Sequence, residues 1–396
     1  MFFYETFGTR GVPSALPRVL VRAFPDEIGA GFARYGLYAD PSSHDGLPFG
    51  MAKGRHLGVA TALAFTCASC HLARLPDGRF AVGAPNHRYD YGGHILAMTV
   101  FPFLATAGPS GHDEAAIARV QPLLDRLRAD PRLWKALGGA LMLAVGAFKA
   151  PSLGPERERA YASWPTGTQD FLMKPVFVDD GVEIVSKIPP LYDLPRDETL
   201  RAHGMAHALY GTSGNARSLV SFMHGFIALG GGDPRKWPAS RLRPLIEYLH
   251  SLEAPRNPHP AAPAAIAAGR ALFADKGCAT CHDGPAHGGR RVYRFDEIGT
   301  DDTLARWLDP EHAGTPCCGA QLADPLTRAV TAPRLVLLWA QTRFLHNGAL
   351  SSLEQLFCLA PRPTQAPPMS TAGHRQTCDG LDVDEKRALI AYLESL

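Results

Sequence analysis

The sequence has no charge excess: across 396 residues, 40 Lys and Arg stand against 38 Asp and Glu, a formal net charge of +2. Without a basic stripe there is no electrostatic footprint for a polyanion, so nucleic acid is excluded as the expected partner. No apolar run reaches the roughly 18 to 20 residues that a membrane span needs, so no membrane span is expected. The nearest, "LGGALMLAVGAF" at Leu137–Phe148, reads as a buried helix. The opening residues, "MFFYETFGTRGVPSALPRVLV", lack a basic segment followed by an apolar one, so no signal peptide is legible. With 46% hydrophobic and 20% charged residues, disordered and collagen-like classes are excluded as well.

Cysteine is scarce, at 8 residues, yet two of them fall three positions apart with a histidine directly behind: Cys67, Cys70 and His71 in "FTCASCHLARL". The pattern recurs at Cys278, Cys281 and His282. Given 8 Cys and 16 His, one Cys-x-x-Cys-His is expected by chance about 0.006 times, so two are not accidents of composition. A structural zinc site wants four ligands and has no use for a histidine after each pair. A thioredoxin-type redox pair sits at a strand-to-helix junction in a βαβ context, which surrounds neither motif. Covalent haem accounts for every element. Two thiols one helical turn apart add to the two vinyl groups, and the adjacent imidazole reaches the iron.

The chain is long enough for two domains. A proline-rich stretch, "EAPRNPHPAAPAA" at Glu253–Ala265, cannot be continuous helix or central strand and reads as a linker. "PLIEYLHSL" before it and "ALIAYLESL" at the chain end share apolar positions, so both halves are expected to close with similar amphipathic helices. An alanine-rich helix ending at Gly277 leads into the second motif. Helical periodicity is common, as over Asp113–Leu137. Alternating patterns are short, "EIVSKI" at Glu183–Ile188 being one. The expected fold is mainly α, with two cytochrome c-like domains in tandem and long loops. Residues 1–252 would hold haem 1, with an insertion over about 101–200. The linker follows at 253–265, and residues 266–396 would hold haem 2.

The segment "TAPRLVLLWAQTRFLHNGALSSLEQLF" (Thr331–Phe357), followed by "GHRQTCDGLDVDEKRALIAYLESL", resembles the second haem domain of bacterial dihaem cytochrome c peroxidases. It is more similar still to their rubber-oxygenase-like dihaem relatives. "GLYADPSSHDGLPFGMAKG", "VGAPNHRYDYGG", "SWPTGTQDF", "SKIPPLYDL" and "FDEIGTD" carry the same resemblance. Only the two haem motifs and "FLHNG" are individually specific.

The resemblance implies two covalently bound haem c groups with His71 and His282 as proximal ligands. In such proteins a distal ligand lies between "FLHNG" and the closing helix. His374 in "AGHRQT" is the expected one, with Met369 as the runner-up. His346 of "FLHNG" is expected near the second haem, hydrogen-bonding a propionate or a backbone group. For the first haem, His87 has the spacing of the displaceable distal histidine of the peroxidases. His94, His203, Met205, His207, Met223 and His224 are the other candidates. Trp164 is the expected aromatic side chain near the first haem or between the haems, with core packing as the alternative. A disulfide between Cys358 and Cys378 would enclose His374, whereas the pairing of Cys317 and Cys318 stays open.

The expected function is a peroxidase-like dihaem oxidoreductase. Its N-terminal haem would meet hydrogen peroxide or dioxygen, and its C-terminal haem would transfer electrons, with a small electron-donor protein as a further partner. An oxygenase acting on an apolar organic substrate is one alternative, and an electron-transfer cytochrome with both irons six-coordinate is another. Haem attachment of this kind takes place outside the cytoplasm, which implies a periplasmic or otherwise exported protein.

Overall fold

A computed structural model describes residues 1–57, 60–148, 153–170, 184–307 and 328–396. Helices predominate over short strands, in keeping with a mainly α fold. The chain forms two compact units, each drawn from three stretches. Met1–Cys70, Arg88–Glu183 and Phe226–Trp237 make one; His71–His87, Ile184–Gly225 and Pro238–Leu396 make the other.

The first unit is built around the helix Tyr91–Ala107. Its sequence is apolar on every side, and such a helix is stable only when enclosed. Residues Tyr91 to Leu104 are accordingly all buried. Asp90 starts it by accepting the Gly93 N–H at 3.0 Å, which satisfies an otherwise orphaned donor. Helices Glu114–Ala129, Pro131–Phe148 and Pro155–Ser163 pack against it. The periodicity of Asp113–Leu137 becomes two helices because Pro131 pushes Asp130 into an extended conformation (φ −130°, ψ 95°) and then opens the next helix. On the helix Pro131–Phe148, Leu137, Leu141 and Ala144 are buried while Met142 is 58% exposed, so burial covers one face rather than the whole segment.

A three-stranded antiparallel sheet also belongs to this unit, with Ala60–Phe65 between Val12–Pro13 and Met51–Leu57. The sequence gives little warning of it, because Ala, Gly and Lys are weak strand residues that cross-strand pairing has to support. Its last strand leads directly into the first motif. Of the short alternating pattern at Glu183–Ile188, Val185–Lys187 does form a strand, in the second unit.

The second unit contains the helices Ala239–His250, Pro263–Asp275 and Val383–Leu393, so both expected closing helices are present. Pro263 opens its helix at the first position, which ends the proline-rich stretch earlier than composition suggests. Asp382 and Glu385 cap the last helix reciprocally, at 2.8 and 3.1 Å. One core cluster consists of Phe273, Leu338, Phe344, Leu350, Leu353, Phe357, Leu389, Ile390, Tyr392 and Leu393. Pro263–Asp275 crosses Val383–Leu393 at Gly269, where an added Cβ would lie 1.9 Å from the Ala388 carbonyl oxygen. The backbones approach too closely for any side chain. Gly269→Ala is therefore expected to destabilise the second unit by about 1–3 kcal/mol through overpacking, despite the better helix propensity of Ala. Chemical unfolding checks this, and equal or greater stability would remove the close-crossing argument.

Candidate functional site

The first motif forms the short helix Cys67–His71. Thr66 anchors it, its hydroxyl donating to the Phe3 carbonyl at 2.9 Å, and the Ser69 hydroxyl donates back to the Thr66 carbonyl at 2.8 Å. Gly50 lets the preceding strand pass close by, since a Cβ there would stand 2.3 Å from the Ser69 nitrogen. Cys70 Sγ donates to Gln169 Oε1 at 3.3 Å. Burial pushes the Cys67 thiol up to about 11 and Cys70 up to about 12, so both are protonated at neutral pH. Burial lowers His71 to about 4, which keeps its imidazole neutral and able to ligate a metal. The Pro189 carbonyl acts against that shift without reaching hydrogen-bond geometry, and among the described residues Nδ1 of His71 is buried without a partner.

The second motif opens with Gly277 in the left-handed region (φ 75°), followed by a 3₁₀ turn at Cys278–Thr280. The Thr280 hydroxyl donates to the Gly277 carbonyl at 2.7 Å. Tyr293 OH donates to the Thr280 carbonyl at 3.2 Å. Nδ1 of His282 donates to the His287 carbonyl at 2.7 Å. That bond fixes the tautomer and leaves Nε2 as the ligating nitrogen. Burial, before any neighbouring charge, keeps His282 neutral.

The ring of His374 stands opposite His282, with centroids 6.5 Å apart. Two imidazoles bound to one metal at M–N distances of about 2 Å would have ligating nitrogens about 4 Å apart and ring centroids roughly 6 Å apart. The observed spacing fits that arrangement. His374 is lowered to about 4, by burial first and with Arg362 adding to the shift, and among the described residues its Nδ1 is buried without a partner. Its backbone is in the left-handed region (φ 53°) after Gly373 (φ 96°), where a Cβ would meet Thr300 at 2.6 Å. A non-glycine residue held there is strained, and the surrounding loop has to hold it.

Three side chains that the sequence reading did not single out supply that hold. Arg362 donates to the carbonyls of Gln355, Leu356, Thr371 and Gly373 at 2.7–3.0 Å. Asn347, next to His346, donates to the carbonyls of Pro368 and Ser370 at 2.9 and 3.0 Å. Asp301 accepts the Ser370 N–H at 3.3 Å. The disulfide Cys358–Cys378 closes the same loop, while Cys67, Cys70, Cys278 and Cys281 are free thiols. Cys317 and Cys318 lie outside the described residues. "FLHNG" thus works locally as the anchor of the His374 loop. A glycine after a carbonyl-binding asparagine was the only sequence signal for it.

His346 is edge-to-face with Phe295 at 5.6 Å, and its Nδ1 is 3.4 Å from Thr300 Oγ1. Met369 is half-buried in the loop that Asn347 anchors. His87 is buried with both ring nitrogens engaged. Nδ1 accepts the Thr342 N–H at 2.9 Å, so Nε2 carries the proton and donates to the Ile188 carbonyl at 3.1 Å. To bind iron or move a proton it must give up one of these backbone partners. His203 is half-buried, with Nδ1 2.9 Å from the Thr199 carbonyl. Met205, His207 and His224 are half-buried, and Met223 is buried. His94 is fully buried in the first unit among aromatic rings, and Trp164 is buried against Tyr161 with ring centroids 4.8 Å apart.

Among the described residues, no cluster of three or more His, Cys, Asp and Glu side chains could hold a bare metal ion, so the motifs offer pairs of thiols and single imidazoles rather than a protein-only cage. Among the described residues, no helix is long and apolar enough to cross a membrane. No family model matches the chain, and no curated protein is detectably similar to it in sequence.

Proposed function

We propose that the protein is a dihaem c-type cytochrome oxidoreductase of the periplasm or another exported compartment. One haem would be attached at Cys67 and Cys70 with His71 as ligand, the other at Cys278 and Cys281 with His282 and His374. The observation that carries the reading is the opposition of His282 and His374 at 6.5 Å, with the far nitrogen of His282 tied to a backbone carbonyl at 2.7 Å. The donor set fits the group. Four thiols in two Cys-x-x-Cys pairs are free, whereas Cys358 and Cys378, outside the motifs, are bridged to each other, and the His71 and His374 imidazoles are held neutral by burial. Bound haem supplies one-electron redox chemistry and, at an iron with an open or exchangeable position, binding of peroxide or dioxygen.

The chain's own residues divide that work unequally. His282 and His374 would both ligate a C-terminal haem, which would suit a site that passes electrons without binding small molecules. At the N-terminal centre His87 is committed to two backbone bonds in the second unit, which favours an iron whose sixth position is open to hydrogen peroxide or dioxygen. Peroxidase-like reduction of peroxide, with electrons drawn from a small donor protein, is the reading we favour over an oxygenase or a pure carrier.

Attachment tests the reading directly. Protein expressed together with a haem-attachment system should carry two haems per chain that resist extraction by acidic acetone. Cys67→Ala with Cys70→Ala should leave one, as should Cys278→Ala with Cys281→Ala. A protein that folds with no covalent haem would remove the proposal. The function follows from the response to peroxide. If both haems stay low-spin and unaltered with peroxide, cyanide and, when reduced, carbon monoxide, the electron carrier wins.

A further inference from the structure

Inside the first unit, one histidine is enclosed by aromatic rings. His94 is 0% exposed. Phe32 lies 4.9 Å from it, Tyr35 stacks on it at 5.4 Å and 20°, Phe65 stands edge-on at 5.5 Å, and Tyr89 is 5.9 Å away. Among the described residues its ring makes one hydrogen bond, between Nδ1 and Tyr89 OH at 3.0 Å, and Nε2 has no polar partner. The tautomer follows by elimination. If Nδ1 carried the proton, the buried phenolic hydrogen would have no acceptor and Nε2 would bury a bare lone pair. If the phenol donates, only one N–H is left, and it faces aromatic rings that accept it weakly. Tyr89 is therefore a phenol donating to the basic nitrogen of a neutral imidazole, out of reach of water.

Tyr89 also begins a row of rings. Tyr91 is 6.1 Å from it, Tyr161 is 5.7 Å from Tyr91, and Trp164 is 4.8 Å from Tyr161. Phe65, two residues before Cys67, touches both Tyr89 and Tyr91 at 6.4 Å. A satisfied structural pair would not need four oxidisable rings in sequence beside a haem-attachment motif.

We propose that Tyr89 is a redox-active tyrosine that is oxidised to a neutral radical with His94 as its proton acceptor. The balance is one electron and one proton. Tyr89 loses an electron to a strong one-electron oxidant, its O–H bond breaks, and the proton passes along the 3.0 Å hydrogen bond to His94 Nδ1. Reduction returns both. A phenol radical cation is a strong acid, so even an imidazole whose basicity burial has lowered to about 3 accepts its proton. The resulting imidazolium is bounded by ring faces at Phe32 and Tyr35, which stabilise a desolvated cation by cation–π attraction. The inference rests on the haem reading only for the oxidant in the cell, a peroxide-treated haem.

The test supplies its own oxidant. A photogenerated ruthenium(III) polypyridyl complex is applied to the full-length haem-loaded protein with ¹⁵N-labelled histidine, and the radical is read by electron paramagnetic and double resonance. Wild type should give a neutral tyrosyl radical whose hydrogen-bonded proton and a histidine nitrogen both show hyperfine coupling. Tyr89→Phe, which removes one oxygen, should abolish that coupled species. His94→Gln keeps an acceptor but a far weaker base, so formation should slow roughly 100-fold, the usual contribution of a positioned base. A coupled radical persisting in Tyr89→Phe, none in wild type, or an unchanged rate in a folded His94→Gln would each overturn the proposal. If the photo-oxidant yields the radical and hydrogen peroxide does not, Tyr89 keeps its role and the peroxide reading fails instead.

Discussion

If the protein carries the two haems proposed, His374→Ala is expected to convert the C-terminal one from low-spin to high-spin. Electron paramagnetic resonance of the oxidised protein should lose nearly all of its low-spin intensity, because an alanine at 374 leaves the face opposite His282 without a nitrogen and an N-terminal haem with an open sixth position would already be high-spin. Added imidazole should restore the low-spin signal by occupying the space of the lost ring. His346→Ala serves as the comparison: its ring faces Phe295 and Thr300, so it should leave the spin state as in wild type. The ligand assignment fails if His374→Ala keeps the low-spin signal without imidazole, and passes to Met369 if Met369→Ala then abolishes it. Arg362 acts through His374. It spans four carbonyls of the loop, and the loop holds a histidine in a backbone conformation that it does not adopt freely.

The largest effect on stability is expected at Asp170. Arg157 is 1% exposed, and its guanidinium is 2.9 Å from Asp170 Oδ2, which also accepts the Tyr161 hydroxyl at 2.7 Å. Arg157 Nε donates to that hydroxyl at 3.0 Å, closing a buried triangle at the end of the ring row. Asp170→Asn keeps the shape and removes the charge facing the guanidinium. Taking one partner from a buried pair costs about 3–5 kcal/mol, because the remaining charge is left in a medium that solvates it poorly. Arg157→Met in the same chain should cost less than the sum of the two single changes, since it removes the charge as well. Urea unfolding followed by circular dichroism measures all three. A cost below about 1 kcal/mol for Asp170→Asn would mean that the pair is solvated like a surface salt bridge.

Part of this was legible because it is local. A Cys-x-x-Cys-His stretch fits within one turn of chain, so both motifs could be read with no knowledge of what surrounds them. The closing helices are equally short-range and are present, although Pro263 opens a helix inside the stretch that composition reads as linker. The pairing of Cys358 with Cys378 was within reach because 20 residues separate them. The sheet at Met51–Phe65 was not, since its residues favour no strand until a partner strand supplies the hydrogen bonds. The two commitments of His87 were hidden for a related reason. Its partners are 101 and 255 residues away in the chain, and neither Ile188 nor Thr342 contributes a side chain to the contact.

The sequence by itself determined the chemistry on offer: two pairs of thiols, each followed by a histidine, in a chain without the charge to bind a polyanion. It did so because thiol spacing and residue type are properties of a few adjacent positions. Tertiary structure alone decided which other groups meet them. Folding put His374 6.5 Å from His282 across more than ninety residues, occupied both nitrogens of His87 with backbone groups, and sealed His94 among rings with its imidazole hydrogen-bonded to Tyr89. A histidine's role depends on which atoms face its two nitrogens, and those atoms come from distant segments brought together by the burial of apolar surface.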